Sequence, residues 1–367
     1  MSPTARTRTR PQEALTRWLA PPIVAGVAGA KSSLYLAESI PLFALQRLFG
    51  GGPSTGPPDL GPEERDAVLQ ALRSLTERDA ENVAEGLYPL SVFVPELTPF
   101  EHATRYARLL ADSVTAATRK RAKKPREFAG RAADLAEELP DYYRRNFHFQ
   151  TDGYLSDASA DLYEHQVEIL FRGVADAMRR MVIPPLKARF GDTDGRGLHF
   201  LELASGCGTA TRFVARAFPE ARITCVDLSH PYLRAARERL GRFDRIGFMQ
   251  GDAADLDLRD GRFDAVFSVF LFHELPMAER ARVLAEAFRV LAPGGLHVVA
   301  DSLQYGDVPV LDWALDEFPK QFHEPYYRDY ARHPIEPMIE AAGFDPSKTE
   351  TAFLTKIVSA TRPEASG

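Results

Sequence analysis

Leu201-Glu202-Leu203-Ala204-Ser205-Gly206-Cys207-Gly208-Thr209-Ala210 is the stretch from which the rest of the chain is read. A mostly apolar run over residues 198–203 enters a Gly-x-Gly turn, and a helical pattern over 210–218 leaves it. Strand, tight loop and helix in that order form the first unit of a nucleotide-binding α/β sheet. At Gly206 and Gly208 the missing Cβ allows a sharp turn and the close approach of a ligand. The turn alone has low specificity. Two details sharpen it: Glu202 stands on the strand, four residues before Gly206, and Thr211 replaces the third glycine of the dinucleotide fingerprint.

The same alternation continues outward. Residues 198–204, 222–227, 246–250, 265–269 and 296–301 read as short, mostly apolar strands with helices between them. Such strands belong to a parallel sheet covered on both faces. Residues 349–354 and 357–361 read as two more, separated only by Thr355-Lys356, which demands an antiparallel hairpin. The second strand ends in Asp227, nineteen residues after Gly208, where a doubly wound sheet offers a carboxylate to ribose hydroxyls. Asp252, in Gly251-Asp252-Ala253-Ala254, is placed to accept from the exocyclic amine of an adenine. Caps and turns are the plainer roles for such acids, but three of them at or near successive strand ends are hard to attribute to capping.

With these motifs in place, residues 196–361 resemble the class I S-adenosylmethionine-dependent methyltransferases. The resemblance is carried by Glu202-x-Ala204-Ser205-Gly206-Cys207-Gly208, Val226-Asp227, Gly251-Asp252-Ala253, Phe263-Asp264-Ala265-Val266 with His273-Glu274-Leu275, and Leu291-x-Pro293-Gly294-Gly295. It covers under half of the chain and is nearest to the small-molecule enzymes. There a His-His-Leu-like triplet follows the fourth strand; here Glu274 stands at the second His, so that position carries no analogy. The resemblance implies a Rossmann-like, seven-stranded α/β sheet with an antiparallel last hairpin, and S-adenosylmethionine as cofactor. It implies that Glu202, Ala204, Gly206 and Gly208 hold the methionine half and that Asp227, with Leu228, holds the ribose. Asp252 with Ala253 would take the adenine, and Ser268 and Phe270 the floor beneath the sulfonium. A cofactor without pyrophosphate needs no third glycine, and the Glu202 carboxylate can meet its amino group.

The chain divides by pattern into an apolar and linker segment (1–60), a mainly α-helical cap or accessory domain (61–190) and the methyltransferase domain (191–367) with an aromatic insertion at 302–344. Residues 31–49 read as an amphipathic helix that Pro41 would kink or split. It is either a packing helix or a weak membrane-surface contact. Helices are expected over 62–75, 99–118, 126–138 and 157–181, with Pro184-Pro185 closing the domain. Six basic residues in the eight at 119–126 read as a solvated turn or a dock for an acidic partner. Residues 141–154 pack five aromatics and a histidine next to a glycine, as a pocket wall or an aromatic hinge.

Composition excludes other classes. A net charge of -6 argues against nucleic-acid binding. Two cysteines, Cys207 and Cys225, make neither a disulfide scaffold nor a cysteine-rich metal site, and no metal is expected. No run of eighteen uncharged apolar residues occurs. Arg6, Arg8 and Arg10 before apolar residues 18–30 have the outline of a signal peptide, but Pro21-Pro22 interrupts it, and the expected cofactor places the chain in the cytoplasm.

The reaction expected is in-line transfer of a methyl group to a small, apolar or aromatic acceptor, yielding S-adenosylhomocysteine. A hydroxyl or carbon acceptor wants a base, for which His273, Asp301 and His323 are candidates. For His273, a cap or buttress of the helix after Pro276 is the plainer role. Tyr143, Phe149, Tyr154, His323, Tyr326 and Tyr327 are candidates for the acceptor pocket. Competing readings are an RNA or protein methyltransferase, a nucleotide-dependent oxidoreductase, and a non-catalytic S-adenosylmethionine-binding protein. A homodimer is compatible with all of them.

Overall fold

The computed structural model describes residues 10–50, 60–122, 126, 128 and 130–364. Among the described residues, seven α-helices precede the sheet: α1 (Arg10–Gly50), α2 (Pro62–Ala84), α3 (Pro99–Ala122), α4 (Arg131–Glu137), α5 (Asp157–Leu170), α6 (Ala175–Arg180) and α7 (Ile183–Phe190). Their starts follow local rules. Pro62 opens α2 with Glu63 and Glu64 in its first turn, and the Gly61 amide donates to the Glu64 carboxylate at 2.7 Å. Thr98 and Glu101 form a reciprocal cap before α3.

Three local expectations are corrected. Pro41 does not split the first helix, which runs unbroken through Pro21, Pro22 and Pro41. It packs along α2 and α3, and that packing outweighs the lost backbone hydrogen bonds. The helix expected over 157–181 is broken. Arg172 and Gly173 turn left-handed at φ 51° and 83°, and a Cβ on Gly173 would meet the Lys31 carbonyl at 2.9 Å. Glycine is therefore what lets α1 pass close beside the break. Pro184-Pro185 opens α7 rather than closing the helical region, as prolines do at a first turn. The basic run is only partly covered, since residues 123–125 lie outside the described residues; Arg126 pairs with Asp141 at 3.0 Å.

The sheet comprises β1 (His199–Leu203), β2 (Arg222–Asp227), β3 (Ile246–Gln250), β4 (Phe263–Val269), β5 (Leu291–Ser302), β6 (Lys348–Ala352) and β7 (Thr355–Thr361). Its order is β3-β2-β1-β4-β5-β7-β6, with β7 antiparallel to β5 and β6 and the others parallel. The hairpin is present, but Phe353-Leu354 makes the turn, with Phe353 at φ 57°, while Thr355 and Lys356 lie in β7. Lys356 is buried there because Asp307 and Glu336 take its ammonium at 2.9 and 2.7 Å.

Between the strands lie α8 (Thr209–Ala217), α9 (His230–Leu240) and α10 (Met277–Val290); α11 (Asp312–Gln321), α12 (Tyr327–Arg332) and α13 (Ile335–Ala341) follow β5. One core face of the sheet holds Phe200, Ile223, Ala265 and Val298 together with Phe213 of α8, Leu75 and Val83 of α2 and Ala20 and Val24 of α1. The other holds Leu201, Val266 and Val299 with Val283 and Leu284 of α10 and Ile335 and Ile339 of α13. The helical residues thus share a continuous apolar core with the sheet. At that seam the Arg180 guanidinium donates to Asp79 at 2.9 Å and lies over the Phe93 and Phe213 rings. On the outside of α1, Trp18, Leu34, Leu36, Ile40 and Leu48 are exposed. Among the described residues, no helix is long and apolar enough to cross a membrane.

Candidate active site

The strands β1, β2 and β4 end beneath one cavity. Its floor is Ala204, Gly206, Asp227, Leu228, Gly251, Ala253, Val269 and Phe270, and its opposite wall is Tyr142, Tyr143, Phe147, Tyr154 and Tyr163. The floor is built by backbone geometry. Ala204, Gly206 and Gly208 alternate through φ 52°, 54° and 75°, so the chain zigzags left-handed between β1 and α8. A Cβ on Gly206 would have nothing nearer than Tyr232 Cδ1 at 4.0 Å, so this turn stands open to a ligand. Gly208 is required by packing, since a Cβ there would meet Leu240 Cδ1 at 2.6 Å. Ala204 and Phe270 (φ 59°) both line the cavity in a conformation that side chains rarely adopt, a pattern of strain common at functional sites.

Asp227 is buried at the end of β2. One carboxylate oxygen accepts the Gly206 amide at 2.8 Å and the other the Ser229 amide at 2.7 Å. Each oxygen keeps a lone pair for a hydroxyl, which fits a ribose diol. Burial pushes its pKa up to about 6, against the lowering effect of those two amides. Asp252 stands just behind the floor, accepting the Ala254 amide at 2.8 Å and the Tyr142 hydroxyl at 3.0 Å. The open turn and the two acids fit an adenosyl group carrying a methionine chain.

Of the residues singled out from sequence, Ala204, Gly206, Asp227, Leu228, Ala253, Phe270, Tyr143 and Tyr154 meet at this cavity. Glu202, Gly208, Asp252 and Ser268 do not line it. Glu202 points to the α8 face, where the Thr211 hydroxyl donates to it; burial pushes its pKa up to about 8. Ser268 is fully buried in β4. The side chain of Phe149 lies outside the described residues. Tyr326 and Tyr327 pack behind the wall, with the Tyr327 hydroxyl 2.7 Å from Ser302 Oγ and the Tyr326 hydroxyl donating to the Tyr142 carbonyl at 3.4 Å. The backbone carbonyl of His323 accepts the His148 amide at 3.2 Å.

His273 and Asp301 do come together. The His273 Nδ1 lies 2.6 Å from an Asp301 oxygen, and Asp301 also accepts the Phe272 and Ser302 amides at 2.7 Å each. Burial alone would lower the His273 pKa, but the Asp301 carboxylate outweighs it and raises it to about 9. The pair joins the ends of β4 and β5 and sits behind the cavity lining rather than in it.

Sequence reasoning missed Tyr163, Tyr232 and Glu274. Glu274 lines the cavity and accepts the Tyr154 hydroxyl at 2.7 Å. Tyr232 and Tyr163 complete the aromatic wall, with ring centroids 5.5 Å apart. Tyr232 sits three residues after the helix-capping Ser229, the one signal that could have placed it beside Asp227. Tyr163 sits in α5, where a helical aromatic reads as core.

A seven-stranded sheet in which β7 alone is reversed, with a cavity over its first strand ends, defines a class I S-adenosylmethionine-dependent methyltransferase fold. The comparisons agree: residues 200–295 match the family described as "Methyltransferase domain", and the chain carries such a domain. It is 35% identical over 159 residues to a ubiquinone/menaquinone biosynthesis C-methyltransferase of Methylobacterium nodulans, covering 42% of this chain and 60% of that one. It is 36% identical over 150 residues to a malonyl-[acyl-carrier protein] O-methyltransferase of Geobacter sulfurreducens, covering 39% and 54%. A fatty-acid O-methyltransferase of Mycolicibacterium smegmatis is 33% identical over 147 residues, covering 40% and 53%. The chain thus spans between about half and 60% of the length of these curated relatives.

Proposed function

We propose that this protein transfers the methyl group of S-adenosylmethionine to a small acceptor with an aromatic or apolar body, releasing S-adenosylhomocysteine. The observation that carries the reading is the cavity itself: a main-chain floor with Asp227 on one side and a wall of six aromatic rings on the other. Of the relatives, one is named for ubiquinone and menaquinone biosynthesis and one for fatty acids, and acceptors with such ring or apolar bodies are of the kind this wall would receive.

The bound cofactor supplies an electrophilic methyl carbon. The protein's tasks are then alignment and exclusion of water. Asp227 holds the ribose, Gly251 and Ala253 take the adenine with Asp252 bracing their turn from behind, and the open backbone at Ala204–Gly206 receives the methionine chain. The aromatic wall closes over the acceptor and favours a planar or apolar body next to a cationic sulfonium. The His273–Asp301 pair holds the ends of β4 and β5 in register and so fixes the loop that carries Phe270 and Glu274.

Titration calorimetry with S-adenosylmethionine, S-adenosylhomocysteine and NADH tests this. The two adenosyl ligands should bind and Asp227→Ala should abolish their binding. Binding of NADH alone, or undiminished affinity in Asp227→Ala, would overturn it. The exposed apolar face of α1 adds a proposal on location: weak contact with a membrane surface, checked by vesicle sedimentation with and without residues 1–60 and lost if the full chain stays in solution.

A further inference from the structure

At the edge of the cavity three side chains from distant parts of the chain converge. The Nε2 of His148, in the 3-10 turn Phe147–Phe149, and carboxylate oxygens of Glu274, after β4, and Glu324, before α12, lie within 4.8 Å of one another. The Glu324 side chain is wholly buried, and neither of its oxygens accepts a hydrogen bond. His148 Nε2 is 3.0 Å from Glu324 Oε1 without hydrogen-bond alignment. Glu274 accepts the Tyr154 hydroxyl on one oxygen. His148 itself is held at φ 55°, a conformation that needs support from its surroundings.

A wholly buried carboxylate beside a half-buried one, with a single imidazole ion-paired to them at 3.0 Å and no hydrogen bond on either Glu324 oxygen, is expensive unless a further cation lies between them. The contrast within the molecule is instructive. Glu38, His102 and His165 also cluster, but there each oxygen of the one carboxylate meets its own imidazole, at 2.7 and 2.8 Å. That group is complete as an ion-paired buckle between α1, α3 and α5. The group at the cavity is not.

We infer that His148, Glu274 and Glu324 bind a divalent transition-metal ion at the acceptor end of the cavity. One imidazole nitrogen with two carboxylates suits Mn²⁺, Fe²⁺ or Zn²⁺; Mg²⁺ and Ca²⁺ favour oxygen alone. Three protein donors leave coordination positions open. Glu274 lines the cavity, so those positions face the bound acceptor and take one of its oxygen atoms. This last step rests on the methyl-transfer reading above: the acceptor would then carry a hydroxyl, carbonyl or carboxylate oxygen near the methylated atom.

The test uses the full chain, stripped with a chelator and titrated with Mn²⁺ (followed by the resonance of the free ion) and with Zn²⁺ by calorimetry. One equivalent should bind. Glu324→Gln and His148→Ala should each weaken binding by more than about a hundredfold, while His102→Ala, in the other cluster, should leave it unchanged. Glu324→Gln keeps the side-chain volume, and near-ultraviolet circular dichroism checks that each variant is folded. Absence of stoichiometric binding of either ion, or wild-type affinity in both cavity variants, overturns the proposal. S-adenosylhomocysteine affinity, measured alongside, separates the two readings. Binding of it without metal removes the metal site alone; metal bound without it leaves the site standing and removes the methyl-transfer reading.

Discussion

The floor of the cavity is made of main chain and its opposite wall of rings. On the floor, Ala204, Gly206 and Gly251 contribute backbone, and Asp227 is fixed by two amides of its own loops. On the wall, Phe147 stacks on Tyr154 at 5.2 Å and 7°, Tyr154 meets Tyr232 edge-on at 5.3 Å, and Ser229 Oγ donates to the Tyr154 carbonyl at 2.6 Å. The floor is therefore determined by a few local residues, while the wall depends on packing between segments far apart in the chain. A substitution in the wall should damage stability broadly, and one in the floor should damage ligand binding narrowly.

The largest effect should come from the wall. Phe147 is buried, so Phe147→Ala should lose about 3 to 5 kcal/mol of stability. Its S-adenosylhomocysteine affinity, measured on the fraction that stays folded, should change only a few-fold. A denaturation midpoint near wild type, or a large selective loss of binding, would mean that floor and wall do not divide binding and stability between them in this way.

Beneath the floor, Glu202 supplies the next effect. Its folded pKa, about 8, lies above the ordinary carboxylate value. A group raised in this way contributes stability below its unfolded pKa, near 4.5, and that stability is lost as pH rises through about 8. Glu202→Gln cannot ionise and still offers Thr211 an acceptor. The variant's stability relative to wild type should therefore climb between pH 4.5 and 8 and then level off, by roughly 2 kcal/mol or more. A difference that is flat in pH would show that Glu202 is ionised in the folded protein and that the floor rests on a charge.

Asp227 should respond more gently and in the opposite direction of pH. Ribose hydroxyls donate to the ionised carboxylate. With a pKa of about 6 in the free protein, affinity for S-adenosylmethionine should be constant above that pH and fall by about tenfold per pH unit below it. Calorimetry between pH 4.5 and 8 reads this directly. No loss on the acid side would take the ribose contact away from Asp227.

The same division explains what could be read from the sequence. The alternation of strands and helices, the antiparallel last hairpin and the tight turn at Gly206 were legible from motifs, because each is imposed by residues within a few positions of itself. The hairpin turn was misplaced by two residues, since Lys356 looks like a turn residue until Asp307 and Glu336 are seen around it. The break at Gly173 depends on the approach of α1, more than a hundred residues earlier in the chain. Residues 141–154 were legible as unusual composition, but Tyr163, Tyr232 and Glu274 join them only through tertiary packing. Glu202 was legible as an acid on the first strand. The register that pairs it with Cys225 on the α8 face, away from the cavity, was not.

The smallest expected effect falls on Ala204, where floor and strain coincide. Its φ of 52° is at home for glycine and strained for any residue with a Cβ, by about 1 to 2 kcal/mol. Ala204→Gly removes that strain but adds conformational freedom to the unfolded chain, worth about 0.4 to 1 kcal/mol in the other direction. The balance favours the variant by between zero and about 1.6 kcal/mol. Ala204→Val should lose stability, because a β-branched side chain tolerates this conformation least. Thermal unfolding of the three proteins should thus rank glycine above alanine above valine. If glycine instead ranks below alanine, the Ala204 methyl group is contributing packing at the cavity floor, and the floor is not made of main chain alone.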